Sequence, residues 1–366
     1  MPSEMNTERT EIPGSNPATR ASRNRIKARW YHKLILLGLG VLLACAIVEL
    51  ALRFTKIVRN VGPSFTTYDS EYGKRLKRSF SCVRKCPEFT MKFTSNSQRF
   101  RGPEPDGPTK HGIVFLGDSF TMGYGVNDGE EYPSLVGEEL FARTKQRLPI
   151  VNMGMGNNGN GRWLKLLERE VEQHEPKLVV FQVCGNDYND NINENLYRYT
   201  ESGDLIENAV PGISRLRRIH SFTESVPLLS SSYLFCYLKQ VAMNSSQGGG
   251  GGDPAPSKPL PDEARLWSPA EELTFALIEE ALTVTTSRGW PTLVLSVVSS
   301  PRQNDELAAR CKKHGVDLVL IPYGSERPDL YYKVDHHWNK AGHQYVAQAV
   351  TDVIVEKLAP IPASKS

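Results

Sequence analysis

From His111 onward the chain alternates short, unbroken apolar runs with longer stretches of helical period, and few architectures accept that pattern. A run of apolar residues without internal alternation is covered on both faces, which is the condition of a strand in a parallel sheet packed between helices. Strands are expected at 113–116, 149–152, 177–183, 292–298 and 316–321, and helices at about 132–145, 161–174, 269–288, 303–314 and 340–357. Such repeats predict an α/β fold in three layers, α/β/α, around a central parallel sheet.

The alternation is interrupted between Asp190 and Leu266, where no strand is expected and Gly248 to Gly252 form a five-glycine run followed by DPAPSKPLP. This segment, 190–266, reads as an insertion with a flexible linker. Its apolar stretch VPLLSSSYLFCYL is too broken by serines to span a membrane, which leaves packing, a helix capping the site, or a helix on a membrane surface. Residues 55–110 read as an irregular lead-in rich in turn formers, SNSQRFRGPEPDGP among them. At 366 residues the chain holds one large domain, 111–360, with attachments.

Charge is distributed unevenly. The net charge is +3, but residues 1–33 carry seven Lys or Arg against Glu4, Glu8 and Glu11, so the rest is close to neutral. A near-neutral body has no field for holding a phosphate backbone, which argues against nucleic acid as a partner. Residues 1–25 are polar and read as disordered. The basic tail runs into LILLGLGVLLACAIVELAL, residues 34–52, close to the ~20 apolar residues that cross a bilayer. A signal anchor at 34–54 is the expectation, with the tail cytoplasmic and residues 55–366 on the periplasmic or extracellular side. A cleaved signal peptide and a lipoprotein signal at Cys45 are the competing readings, and the apolar run continuing past Cys45 favours the span. Glu49 near its far end has Arg53 four residues on as a partner. Six cysteines are too few for a disulfide scaffold; Cys82 and Cys86 are the one close pair, either bridged or free.

Four polar motifs stand at strand ends or before the last helix. The first, Gly117-Asp118-Ser119, places a serine where a strand gives way to a helix, either as an exposed nucleophile or as a plain helix cap. A glycine-rich turn, Asn152 to Gly159, lets backbone approach a ligand. In Gly185-Asn186-Asp187 the Asn186 amide can donate to a developing oxyanion without titrating. Finally, Asp335-His336-His337 offers a base and an acid to fix its tautomer.

Together these blocks resemble the SGNH/GDSL hydrolases, in the forms GDSFTMGYGV, NMGMGNNG, GND and DHHWNKAGH. The resemblance covers roughly residues 93–357, and the lead-in TSNSQRFRGPE is similar to one in membrane-anchored bacterial members. It implies a flavodoxin-like fold with Ser119 as nucleophile, His337 as base, Asp335 as its orienter, and an oxyanion hole formed by Ser119, Asn186 and a backbone N–H of the second block. The family's glycine donor falls on Asn157 here, with Gly156 one residue earlier, so the two are taken jointly. His336 is the alternative base and Asp329 the alternative orienter. No cofactor or metal is implied. Hydrolysis of a carboxylic ester, with O-acetyl groups on cell-surface carbohydrate as a substrate class, is the expected activity. O-acyl transfer to a glycan and an inactive glycan- or protein-binding domain are the alternatives.

Overall fold

The computed structural model describes residues 30–200, 202–213, 215–246 and 267–358. The tail read as disordered and the glycine run read as a linker lie outside the described residues.

Helix α1 (Trp30–Phe54) covers the segment, residues 34–54, for which a span is expected. Its mean hydropathy reaches 2.6, its side chains up to Val48 are exposed, and by length and composition it can cross a membrane. The chain divides after Val48 into two compact units, the second of which begins at Glu49. Glu49 does meet Arg53, at 3.0 Å.

The lead-in is not irregular. It forms two antiparallel hairpins, β1 (Thr66–Asp69) with β2 (Gly73–Leu76) and β3 (Phe80–Lys85) with β4 (Thr90–Ser95). In β4, Met91, Phe93 and Ser95 point inward while Thr90 and Lys92 face out, a period-two pattern too short to stand out in the sequence. Cys82, Met91 and Phe93 pack with Phe65, Leu76 and Phe89 against Met122 and Met155. Cys82 and Cys86 are both free thiols. Four positions along an extended strand span about 13 Å, far beyond the ~4.4–6.8 Å between the Cα atoms of a disulfide.

Five parallel strands make the central sheet: β5 (Ile113–Leu116), β6 (Ile150–Asn152), β7 (Leu178–Cys184), β10 (Thr292–Val297) and β11 (Asp317–Leu320), in the order β11-β10-β7-β5-β6. Each lies within two residues of its expected bounds. Between them run α2 (Ser119–Met122), α3 (Tyr132–Thr144), α4 (Asn160–Arg169), α5 (Asp187–Glu194), α9 (Pro269–Ser287), α10 (Pro301–Lys313) and α11 (Lys340–Leu358). Alternate residues of β5 part to opposite faces. Val114 and Leu116 join Trp163, Leu164 and Leu282 on the α4 and α9 side, while Ile113 and Phe115 join Val136, Leu140 and Val350 on the α3 and α11 side. This is the expected three-layer α/β/α arrangement, and its strand order is that of flavodoxin-like sheets.

The insertion contains a short hairpin, β8 (Tyr197–Tyr199) with β9 (Leu205–Glu207), correcting the expectation that no strand falls there; three-residue strands carry too little pattern to read. After it come α6 (Arg215–Ser225), α7 (Pro227–Ser230) and α8 (Tyr233–Ser246). Cys236, Leu234 and Tyr237 of the apolar stretch pack with Leu52, Val58 and Val61. Of the uses considered for that stretch, packing is the one these contacts describe.

Candidate active site

Strand β5 is buried throughout and is followed by Gly117, where a side chain would meet Thr121 Oγ1 at 2.2 Å, so the space there suits glycine. Asp118 then caps α2, its Oδ1 accepting the Phe120 N–H at 2.8 Å. Because Asp118 does the capping, Ser119 is left as the first helical residue with its hydroxyl uncommitted to the backbone. That hydroxyl lies 2.8 Å from His337 Nε2, and His337 Nδ1 lies 2.6 Å from Asp335 Oδ1. The geometry brings Ser119, His337 and Asp335 together in a line. His336 is exposed, and Asp329 pairs with Arg327 at 2.7 Å, so neither takes part in that line.

The imidazole is held between aromatic rings: Phe120 at 4.9 Å and Tyr124 at 5.0 Å between centroids, with Trp338 against Phe120 at 4.6 Å. His337 remains 23% exposed on its side chain, so the site opens to solvent.

The second block is fastened to the first. Gly117 O accepts from Met155 N at 3.2 Å and from Asn158 Nδ2 at 3.0 Å, and Asn152 Nδ2 donates to Thr121 O at 2.9 Å. A side chain on Gly154 would strike Met122 N at 2.4 Å, whereas one on Gly156 would lie 3.7 Å from Ser119 Cβ. Gly156 therefore lines the space beside the serine. Asn157 follows with φ +50°, in the left-handed region that asparagine tolerates better than most residues.

Asn186 stands at the end of β7, across the β5/β7 switch point from Ser119, where ligands bind in open parallel sheets. One Nδ2 proton goes to Asp190 Oδ2 at 2.8 Å, which fixes the amide and leaves its second N–H for a ligand. Burial pushes the Asp190 carboxyl up, against the pull of Asn186 and of the Lys74 and Arg162 charges. Beneath the site, Asp118 and Asp187 are fully buried and both are pushed up by desolvation; at Asp187 the Asp118 charge adds to the shift. His343, also buried, is pushed down to about 3 by desolvation and accepts the Tyr132 N–H at 3.2 Å, so it is a neutral structural group.

Three charged residues of the lead-in reach this site without belonging to any of the four motifs. Arg101, its side chain fully buried, donates to the carbonyls of Met122, Gly123 and Val126 and so holds the turn after α2. Lys74 donates to the carbonyls of Gly156 and Asn157, at 2.8 Å each. Glu88 accepts the backbone N–H groups of Lys333, Val334 and Asp335, at 2.8–2.9 Å. Among the described residues no group of three or more His, Cys, Asp or Glu is arranged to hold a metal ion.

Part of the chain is similar to known proteins. Residues 115–267 match the GDSL-like lipase/acylhydrolase family, a stretch that includes Ser119, Gly156, Asn157 and Asn186 and ends before Asp335 and His337. An arylesterase of Vibrio mimicus is 29% identical over 75 residues, 20% of this chain and 37% of that protein. Thioesterase 1/protease 1/lysophospholipase L1 of Escherichia coli strain K12 is 27% identical over 75 residues, 20% of this chain and 34% of that protein. The alignments thus span about a third of these relatives. Among solved structures, the psychrotrophic esterase EstA from Pseudoalteromonas sp. is similar with a TM-score of 0.41 and 12% identity, covering 69% of this chain and all of that one. An acetyl xylan esterase gives a TM-score of 0.39 and 14% identity, covering 66% of this chain and 98% of that one. What the comparisons show is thus a match of residues 115–267 to the GDSL-like lipase/acylhydrolase family.

Proposed function

We propose that the chain is a serine esterase that hydrolyses a carboxylic ester through an acyl-enzyme on Ser119. The observation that carries this reading is the unbroken contact from Ser119 Oγ to His337 Nε2 at 2.8 Å and from His337 Nδ1 to Asp335 Oδ1 at 2.6 Å. Asp335 holds the tautomer in which Nδ1 carries the proton, leaving Nε2 free to act as base. Ser119 Oγ attacks the ester carbonyl while its proton passes to His337 Nε2. The negative charge that develops on the carbonyl oxygen is met by the Ser119 N–H, the Asn157 N–H beside Gly156, and the free N–H of Asn186 Nδ2. Collapse breaks the bond to the alcohol oxygen, which leaves with the proton from His337. Water then attacks the acyl group, giving its proton to His337, and the carboxylic acid departs as Ser119 recovers its own.

Helix α1 and the basic segment before it support a membrane anchor, with the catalytic unit on the far side from the basic tail. In that setting O-acetyl groups on cell-surface carbohydrate are the substrate class to try first. The mechanism is tested by treating the folded, detergent-solubilised protein with a fluorophosphonate and mapping the adduct by mass spectrometry. Label on Ser119, lost in S119A, is expected; a folded protein that takes no label there defeats the mechanism.

A further inference from the structure

We infer that Lys74, on the hairpin preceding the catalytic domain, is a positioning residue of the oxyanion hole; this rests on the esterase reading above. Its Nζ lies 2.8 Å from the carbonyl oxygens of both Gly156 and Asn157. In a trans peptide the C=O and N–H point in opposite directions, and the described residues contain no cis bond. Drawing the Gly156 carbonyl toward Lys74 therefore turns the N–H of Asn157 the other way. That peptide belongs to the turn in which Gly156 stands beside Ser119.

Three consequences follow from the ammonium group at this place. It fixes the turn. Asn157 sits at φ +50°, a conformation that a non-glycine residue leaves readily unless its surroundings hold it, and Lys74 together with Arg162 Nη1, 3.3 Å from the Asn157 carbonyl, supplies that hold. It also polarises the peptide: a cation on the carbonyl withdraws electron density and makes the N–H of the same amide a stronger donor. Finally, its charge favours the carboxylate form of Asp190, the residue that fixes the Asn186 amide. One cation outside the four motifs thus supports two of the three donors, without touching the substrate.

Lys74 also explains why the β1/β2 hairpin is fastened to this edge of the domain. Nearby, Arg162 donates to the Tyr72 carbonyl at 2.7 Å, and the buried Lys165 donates to the Glu71 carbonyl at 2.7 Å, anchoring the turn that precedes Lys74. The β2 strand pairs Lys74 with Tyr68, which fixes the face from which its side chain emerges.

The test compares the full-length protein in detergent with K74M, which keeps the length and loses the charge, and K74R, which keeps the charge. Turnover of p-nitrophenyl acetate, melting temperature and the rate of fluorophosphonate labelling are measured on each. Expected for K74M is a fall in kcat of about tenfold or more, a smaller change in KM, slower labelling and an unchanged melting temperature; K74R recovers part of the loss. A K74M enzyme within about threefold of the parent in kcat overturns the inference. So does a loss that K74M and K74R share together with a lowered melting temperature, since that is a purely structural role. If K74M does not fold, K74Q is measured in its place by the same criteria. A parent protein that neither turns over esters nor labels at Ser119 refutes the esterase reading itself, a result separate from any difference among the variants.

Discussion

The carboxylate of Glu88 accepts the backbone N–H of Asp335 at 2.9 Å, across 247 residues of chain. The same carboxylate takes the N–H groups of Lys333 and Val334, so one side chain closes three donors of the loop that carries Asp335 and His337. Charge-assisted bonds of this kind are among the stronger ones in proteins, and here they fix the backbone of Asp335 rather than its carboxylate. The loop has few other restraints on that side: Lys333 and Val334 are exposed, while Tyr332 N donates to His337 O at 2.8 Å from within.

Removing the Glu88 carboxylate is therefore expected to loosen the Asp335 loop more than the fold. E88A should lower kcat/KM for a small ester by roughly tenfold to a hundredfold, the range found when groups supporting a reactive constellation are lost. The far-ultraviolet circular dichroism spectrum should be unchanged. An E88A protein as active as the parent would show that the Asp335 loop holds its shape unaided.

The contrast between what the sequence disclosed and what it hid follows from how each feature is encoded. The five central strands were legible because a parallel strand covered on both faces reads as an apolar run, as Ile113-Val114-Phe115-Leu116 does. Ser119, Asn186 and His337 were legible because each sits in a short motif at a strand end or before the last helix. The lead-in hairpins were not. Their strands are four to six residues long with polar outer faces, and the inward alternation of Met91, Phe93 and Ser95 is too brief to separate from chance. Lys74, Glu88 and Arg101 were hidden for a deeper reason: they act on main-chain groups 21 to 247 residues away, and no spacing in the sequence records a bond to a backbone carbonyl or amide. Which residue caps α2 was also beyond the sequence: the oxygen that meets the Phe120 N–H belongs to Asp118, not to Ser119.

Glu49, near the end of the apolar helix, is bound to the insertion. Its carboxylate accepts from Ser232 Oγ at 2.8 Å, from Tyr233 N at 3.1 Å and from Leu234 N at 2.8 Å, so it caps the N-terminus of α8 from outside that helix. The first N–H groups of a helix have no partner within it, and a negative charge there also offsets the helix dipole. E49Q should expose these amides. Hydrogen exchange of Tyr233 and Leu234 is expected to accelerate roughly fivefold to thirtyfold, corresponding to the ~1–2 kcal/mol that a lost cap costs. Unchanged exchange at these two positions would mean that the Glu49 charge is not what protects them.

Asp118 and Asp187 make stability depend on pH in a direction opposite to the usual carboxylate. Each is completely buried, Asp187 Oδ1 has no hydrogen-bond partner among the described residues, and desolvation pushes both above the ordinary value of 3.8. Asp187 is pushed well above it, with the Asp118 charge adding to burial, while its Oδ2 accepts from Cys184 N and Asn160 Nδ2. In the unfolded chain the carboxyl loses its proton near 3.8, but in the folded protein it keeps the proton to higher pH. Between those two values the native state binds more protons than the unfolded one, so the free energy of unfolding falls as pH rises, by up to about 1.4 kcal/mol per pH unit for one such group. D187N puts a neutral amide of the same shape in place of the carboxyl, removing that dependence. Its melting temperature should fall less than the parent's as pH is raised above the unfolded value of 3.8, provided both unfold reversibly. Parallel pH profiles for the two proteins would indicate that Asp187 is ionised in the fold, and that its unpartnered oxygen is stabilised by something other than a proton.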